Sequence, residues 1–342
     1  MSTPRIMLFT PYFSGNRGNS TTTKRIVDGL IQNGLEVSVF AYEEEIWTET
    51  IQAKVNRCDI IHVIHFYRFS SWLQRNEIKL TKPYILTSGG TDVNHYIFEE
   101  KYSEEMIDVL QNAKVITVFT EDAKKKMNQV YEGMNLSIEV IPQSIWFPKD
   151  RSQAKNVQLP EGNPRVLLPS GLRDVKDIFF LMDELKGLQE KYHDLQFLIT
   201  GMVLDQEILS TLKRYMIDNS WIHFIENVPI EMMPTIYTWA DYVLNTSISE
   251  GQSSALLEAM DMGCLVFARN NPGNASIIKD GENGYLFSSG DEFLEKFENV
   301  LHDIQTKERI RTNAKQYIQV QHDFNNEILS YIKVYKKCLE HS

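Results

Sequence analysis

Glu250 and Glu258 stand eight residues apart in a polar, small-residue stretch running from Thr246 to Gly263. Ahead of them, Ala240-Asp-Tyr-Val-Leu-Asn245 is a short apolar run of the kind that forms a buried parallel strand. The Ser/Gly cluster that follows is turn chemistry, and Ala255-Leu-Leu-Glu-Ala-Met260 is strongly helix-forming. A strand, a polar loop and a helix in that order leave the helix's first N–H groups unpaired and facing the loop, which suits an anion such as a phosphate. With Glu258 about two helical turns beyond Glu250, roughly 12 Å along the axis at 1.5 Å per residue, the carboxylates cannot chelate one atom. They can hold two ends of one elongated ligand. An anion on backbone amides with a hydroxyl-accepting carboxylate at either side suits a sugar joined to a nucleoside diphosphate. The plainer alternative is a solvated loop acid followed by an exposed helix acid.

Further chemistry-bearing residues follow other strand-like runs, where open α/β sheets bind their ligands. Arg165 to Pro169 leads into Ser170-Gly-Leu-Arg173-Asp-Val-Lys176-Asp177. Its arginine fork and lysine point charge match a diphosphate whose negative charge grows as it leaves, or else form a surface pair closed on Asp174 or Asp177. After the first run comes Pro11-Tyr-Phe-Ser-Gly15-Asn16-Arg-Gly18-Asn-Ser20. Its two glycines lack the third of a dinucleotide fingerprint, and the absence of any Gly-Lys pair excludes a Walker A loop. Ile61-His62-Val-Ile-His65-Phe-Tyr67-Arg68 offers one histidine inside an apolar run, read as a hydrogen-bonded core residue, and one at its end. Ser88-Gly-Gly-Thr91-Asp92-Val-Asn94 is a glycine turn presenting polar groups or simply capping itself.

These loops need a frame, and the chain alternates strand-like and helix-like segments twice over. Arg5 to Thr10, Glu36 to Tyr42, Asp59 to His65, Pro83 to Thr87 and Lys114 to Phe119 read as strands, with helical patterns such as Thr21 to Gln32 and Glu104 to Gln111 between them. Arg165 to Pro169, Leu195 to Thr200, Trp221 to Ile225, Asp241 to Asn245 and Leu265 to Arg269 repeat the theme. Such alternation means parallel sheets covered by helices on both faces, and 342 residues suit two domains. The turn-rich stretch between Pro148 and Pro164 is the expected join. We therefore expect residues 1–155 and 156–321 as the two domains, with an amphipathic helix over about 322–342.

A balance of 35 basic against 46 acidic residues, net −11, argues against nucleic-acid binding and against electrostatic docking on an anionic membrane. Cys58, Cys264 and Cys338 lie far apart with no metal-type spacing, so buried structural thiols are expected. No apolar stretch reaches the roughly 18 residues of a spanning helix, and Arg5 leads straight into a strand with no signal-peptide core. The expectation is a cytoplasmic protein.

The segment from Ile222 to Phe287 resembles the donor-binding half of the retaining GT-B glycosyltransferases of family 4, the glycosyltransferase group 1 enzymes. The likeness rests on Glu250-x7-Glu258, Gly263, Pro272-Gly273 and Gly281-x-x-Gly284. Ser88 to Asn94, Gly171 to Asp177 and Asn270 to Ala275 extend it to one subgroup and to nearly the whole chain. The resemblance implies a GT-B fold, two doubly wound Rossmann-like domains facing across a cleft, with a C-terminal helix crossing back to the first. It implies transfer of a hexose from a UDP- or GDP-linked sugar to a small-molecule or glycan acceptor, with retention of configuration and without a metal or other cofactor. The lack of any Asp-x-Asp pair agrees with that. Glu250 would then hold the donor sugar's hydroxyls and Glu258 the ribose. Arg173, Lys176 and the amides of Gly251, Gln252, Ser253 and Ser254 would hold the diphosphate. His65 would steady the sugar, while Gly15 and Asn16 would approach the donor phosphates or the acceptor. Relatives carry a histidine in the Ser88 to Asn94 turn where this chain has glycine, so Thr91 and Asp92, with Tyr67 and Arg68, become the candidate acceptor contacts. Selenosugar-type transfer, nucleotide-sugar epimerisation and non-catalytic nucleotide-sugar binding are the competing readings. The sequence leaves the oligomeric state open.

Overall fold

The computed structural model describes residues 3–15, 17–148 and 157–340, which form two compact units. The chain passes from the first unit to the second between Ser144 and Ile145 and returns between His322 and Asp323. Part of the turn-rich stretch in which the sequence suggests the join, 149–156, lies outside the described residues.

The first unit runs β1 Arg5–Thr10, α1 Gly18–Gln32, β2 Glu36–Ala41, α2 Glu49–Arg57, β3 Ile60–Ile64, α3 Phe66–Asn76, β4 Tyr84–Ser88, α4 Thr91–Asn94, α5 Glu100–Asn112, β5 Val115–Val118, α6 Glu121–Val130 and β6 Ile138–Val140. Its strands are all parallel, in the order β2-β1-β3-β4-β5-β6. Alternation along β1 shows why both faces are covered: Met7 and Phe9 join one core with Phe40, Phe69 and Trp72, while Ile6 and Leu8 join another with Ile26 and Leu30. All five residues of β3 are buried, as a central parallel strand requires.

The second unit runs β7 Arg165–Pro169, α7 Met182–Lys191, β8 Gln196–Gly201, α8 Gln206–Asp218, β9 Ile222–Glu226, α9 Met233–Trp239, β10 Tyr242–Asn245, α10 Ser254–Asp261, β11 Leu265–Arg269, α11 Pro272–Ala275, β12 Tyr285–Phe287, α12 Gly290–Leu301 and α13 Ile304–Gln321. Its parallel order is β12-β11-β10-β7-β8-β9. Val166, Leu168 and Phe197 face one core, and Leu167, Leu198 and Val243 the other.

The last helix, α14 Phe324–Glu340, belongs to the first unit. Ile328, Tyr331 and Tyr335 pack beside Ile26 and Leu30 of α1. A buried ion pair adds direction: Arg25 Nε and Nη2 donate to the two carboxylate oxygens of Glu327 at 2.8 and 3.0 Å, and both side chains are 1% exposed. The same carboxylate accepts from the N–H of Ser144 at 3.0 Å and from its hydroxyl. His62 is fully buried, bridging Tyr335 Oη and Thr87 Oγ1 at 2.6 Å each. Burial holds its pKa near 3, so it is the neutral core histidine the apolar run suggests.

In both sheets the strand order reverses direction at one place, between β1 and β3 and between β7 and β10. The loops leaving the carboxyl ends of such a pair diverge and open a crevice. All three cysteines are buried, and none of them forms a disulfide among the described residues.

Candidate functional site

At the β7/β10 reversal, two loops are stitched together. Thr246 Oγ1 donates to the Lys176 carbonyl at 2.9 Å, and Ile248 N donates to the Val175 carbonyl at 2.9 Å. This brings Lys176 Nζ within 2.5 Å of Glu250 Oε1, although the two residues are 74 apart in sequence. Asn245 ends β10 as a hub. Its amide nitrogen donates to Glu250 Oε1 at 3.0 Å and to Ser253 Oγ at 3.2 Å, while its oxygen accepts from Ser247 N and Asn274 Nδ2 at 3.1 Å each. Ser247 Oγ adds a third donor to Glu250 Oε1 at 2.7 Å.

Burial pushes the Glu250 carboxyl up, but the Lys176 ammonium and the donors of Lys176, Asn245 and Ser247 outweigh it. The carboxyl is held below the ordinary glutamate range. It is therefore a fixed anion at neutral pH. Gly273 secures it from behind, because a Cβ there would stand 2.3 Å from the Glu250 carbonyl oxygen. No larger residue fits that approach.

Gln252 and Ser253 are buried, and Ser253 caps α10 by accepting from Leu256 N. Gly251 and Ser254 stand half-buried at the same helix start. Only the chain from Ser254 onward is helical, so the loop, rather than two turns of helix, provides most of the path from Glu250 to Glu258. Glu258 is 8% exposed and accepts from Tyr237 Oη at 2.8 Å, so it is not the exposed helix acid of the plainer reading. Arg173 is exposed and makes no side-chain hydrogen bond or ion pair among the described residues. Asp177, left-handed at φ +42°, pairs with Arg269 Nη1 at 2.7 Å.

The first unit holds a second cluster at the ends of β1, β3 and β4. His65 takes a left-handed conformation at φ +71° and caps α3, its Nδ1 facing Arg68 N at 3.4 Å. Its Nε2 lies 3.3 Å from Thr91 Oγ1, and Asp92 Oδ2 approaches Nδ1 at 3.7 Å. Burial lowers the His65 pKa, with Asp92 opposing and Arg68 assisting, so the ring is neutral at pH 7. Asp92 is 1% exposed, and accepts from Ser88 Oγ at 2.5 Å, Gly90 N at 3.2 Å and Val93 N at 3.1 Å. The turn thus takes its self-capped form, with Asp92 inward and Thr91 at its rim. Tyr67 lies against Tyr96, ring centroids 4.0 Å apart. Gly15 has φ +74°, and Asn16 lies outside the described residues.

The structure therefore gathers Glu250, Lys176, Ser253 and their neighbours in the second unit, and His65, Thr91, Asp92 and Arg68 in the first. Sequence reading missed Asn245, Ser247, Asn274 and Tyr237. Asn245 had a signal, being a polar residue at the carboxyl end of an apolar strand. Tyr237 had none, since only the fold carries it across to Glu258.

Residues 149–317 match the family profile described as "Glycosyl transferases group 1". The chain is 29% identical over 337 residues to glycosyltransferase 1 domain-containing protein 1 of Xenopus tropicalis, covering 95% of this chain and 96% of that one. It is 22% identical to spore coat protein SA of Bacillus subtilis over 317 residues, 86% of this chain and 82% of the relative. Among solved structures, Anabaena HepE in complex with UDP and glucose aligns with a TM-score of 0.74 at 16% identity, covering 98% of this chain and all of that one. Sucrose-phosphate synthase from Thermosynechococcus elongatus aligns with a TM-score of 0.75 at 14% identity, covering 99% and 100%. The two six-stranded parallel sheets with flanking helices are those of the GT-B fold. Among the described residues no helix is long and apolar enough to cross a membrane.

Proposed function

Since residues 149–317 are a glycosyltransferase group 1 domain and the chain is a glycosyltransferase, we propose that it transfers a hexose from a UDP- or GDP-linked sugar to a small-molecule or glycan acceptor, with retention of configuration and without a metal, as a member of family 4. The observation carrying this is the Lys176–Glu250 pair at the β7/β10 reversal, beside the capped start of α10 and a Glu258 fixed by Tyr237. In this reading Arg173 and Lys176 take the diphosphate with the amides of Gly251 to Ser254. The unpartnered, exposed guanidinium of Arg173 is available for that, and Lys176 turns part of its charge from Glu250 to phosphate. Their two cations and the helix-start amides stabilise the negative charge that builds as the diphosphate leaves.

Glu250 is ionised and rigid, so it accepts hydrogen bonds from sugar hydroxyls without rearranging. Tyr237 orients Glu258 for the ribose. In the first unit, neutral His65, with Thr91 and Asp92 close by, would steady the sugar in this reading, and Gly15 and Asn16 would serve the donor phosphates or the acceptor. Tyr67 and Arg68 complete the acceptor side. HepE binds UDP and glucose, which supports a uridine donor as the first to try.

Calorimetric titration with UDP and GDP, followed by donor-consumption assays, tests this reading. Glu258→Ala should weaken nucleotide binding at least tenfold. Glu250→Ala should keep free-nucleotide affinity within a few-fold and lose turnover by a hundredfold or more, the scale of losing one preorganised polar group. Parent-like nucleotide binding by Glu258→Ala would remove the ribose assignment. Failure of the parent to bind any nucleoside diphosphate would remove the function.

A further inference from the structure

Tyr12, in the loop after β1, carries a guanidinium on its ring and has a second beside it. Arg17 Cζ stands 3.9 Å from the ring centroid, and Arg68 Cζ, from α3 after β3, stands 5.7 Å from it. Arg68 Nη1 also reaches Tyr12 Oη at 3.5 Å, a long and weak contact. All three side chains are half-buried. Among the described residues neither guanidinium is within ion-pair distance of a carboxylate, although Arg17 lies near enough to Glu44 to help lower its pKa. The neighbouring acids are engaged elsewhere: Glu43 pairs with Arg75 at 2.7 Å, and Glu44 accepts from the N–H groups of Phe13 and Ser14 and from the Ser14 hydroxyl. Asp92 is closed within its own turn. Lys24 Nζ, 3.0 Å from the Gly15 carbonyl, adds a third positive charge to the same loop.

This arrangement runs against the composition. The chain has 46 acids against 35 bases, and the half-buried arginines here still have no acid within ion-pair distance among the described residues. Like charges brought together in a partly desolvated setting repel, and arginines out of water are ordinarily paired. Stacking on Tyr12 holds the Arg17 guanidinium plane while leaving its N–H edges for an acceptor, the geometry in which arginine grips a carboxylate or phosphate with two parallel bonds. The place is the β1/β3 reversal, the ligand-binding position of this sheet.

We propose that Arg17 and Arg68, braced by Tyr12, form an anion-recognition site in the first unit, and that the acceptor carries a phosphate monoester or carboxylate which this site holds. The inference rests on the glycosyltransferase reading for the word acceptor; the anion site itself stands on the arginines alone. It narrows the acceptor search to anionic sugars and polyols and turns it away from neutral ones.

The test uses the full chain, with inorganic phosphate as the probe, titrated by calorimetry alone and with UDP at saturation. Phosphate should bind with UDP already present. Arg17→Gln/Arg68→Gln should weaken that binding at least tenfold while leaving the UDP dissociation constant within twofold. Arg17→Lys/Arg68→Lys, which keeps the charge but loses the two-pronged fork and guards against a folding defect in the glutamine pair, should bind phosphate with an affinity between those of the parent and the glutamine pair. In turnover, matched polyols with and without a phosphate monoester should differ in KM, and the glutamine pair should abolish the difference. Phosphate affinity indifferent to both arginines would overturn the proposal. So would competition of phosphate with UDP together with weakened UDP binding in the glutamine pair, because the arginines would then serve the donor. If the parent binds no nucleotide, the functional reading fails by itself, and phosphate titration without UDP still decides the anion site.

Discussion

Glu250 sits 11% exposed beside Lys176, so its ionisation is a balance between burial, which raises its pKa, and the lysine and amide donors, which lower it further than burial raises it. A carboxyl titrating below its unfolded value contributes stability that is fully present above the unfolded pKa and lost as pH falls through the folded one. At neutral pH the pair therefore helps the fold, and the loss comes in acid, below the ordinary glutamate range. Lys176→Met removes the first opposing effect and leaves burial in command. The Glu250 pKa then moves upward and the same side chain becomes destabilising at neutral pH. Carboxyl NMR titration of the parent, Lys176→Met and Glu250→Gln measures this directly; a Glu250 resonance that titrates identically with and without Lys176 would contradict the balance described. At this scale the sequence was partly legible. Glu250 and Glu258 announced themselves by spacing, and Lys176 by its place after a strand. Their contact did not, because a meeting across 74 residues depends on which strands lie side by side. The plainer reading of Glu258 as an exposed acid failed because its face of α10 turns toward Tyr237.

Strands and helices were read best where five or six apolar residues stood together. The ten strands the sequence suggests are present, with no end shifted by more than one residue, and β6 and β12 were missed because three-residue edge strands carry no period. The amphipathic helix expected over about 322–342 is α14, broken from α13 just before it: Tyr317 on α13 packs in the second unit and Phe324 on α14 in the first. Spacing alone does not reveal such a break, since both helices keep their apolar faces. What fixes α14 is Glu327, whose carboxylate serves Arg25 of α1 and Ser144 at the point where the chain leaves the unit. Glu327→Ala strands a buried guanidinium and should cost about 3–5 kcal/mol, whereas Arg25→Met/Glu327→Leu, with no charge left behind, should cost much less. Urea unfolding of the two variants decides it, and equal losses would mean that packing, not the stranded charge, sets the cost. Gly273→Ala tests a second element-scale constraint. Its methyl meets the Glu250 backbone, so the β10–α10 loop must shift, and turnover should fall by tenfold or more while urea stability drops by about 1–3 kcal/mol.

Each unit closes its own sheet with apolar packing on both faces, and each therefore carries its own share of the stability. The first is made from both ends of the chain and the second from one continuous stretch, so an event in residues 145–322 can be followed separately from one in the rest. A nucleotide that binds only the folded second unit stabilises it by mass action, about 2.7 kcal/mol at a hundredfold excess over its dissociation constant. Native-state hydrogen exchange reads that increment peptide by peptide. With UDP, amides of β7, β8, β10 and β11, whose exchange needs the second unit to open, should slow by about a hundredfold, the kinetic equivalent of that energy. Amides of β1, β3 and β4 should slow far less, because their core is complete without the second unit. Uniform slowing of both sheets would show a single cooperative unfolding unit. Slowing confined to the first sheet would move the nucleotide away from the Lys176–Glu250 cluster and overturn the donor assignment on which the reaction is built.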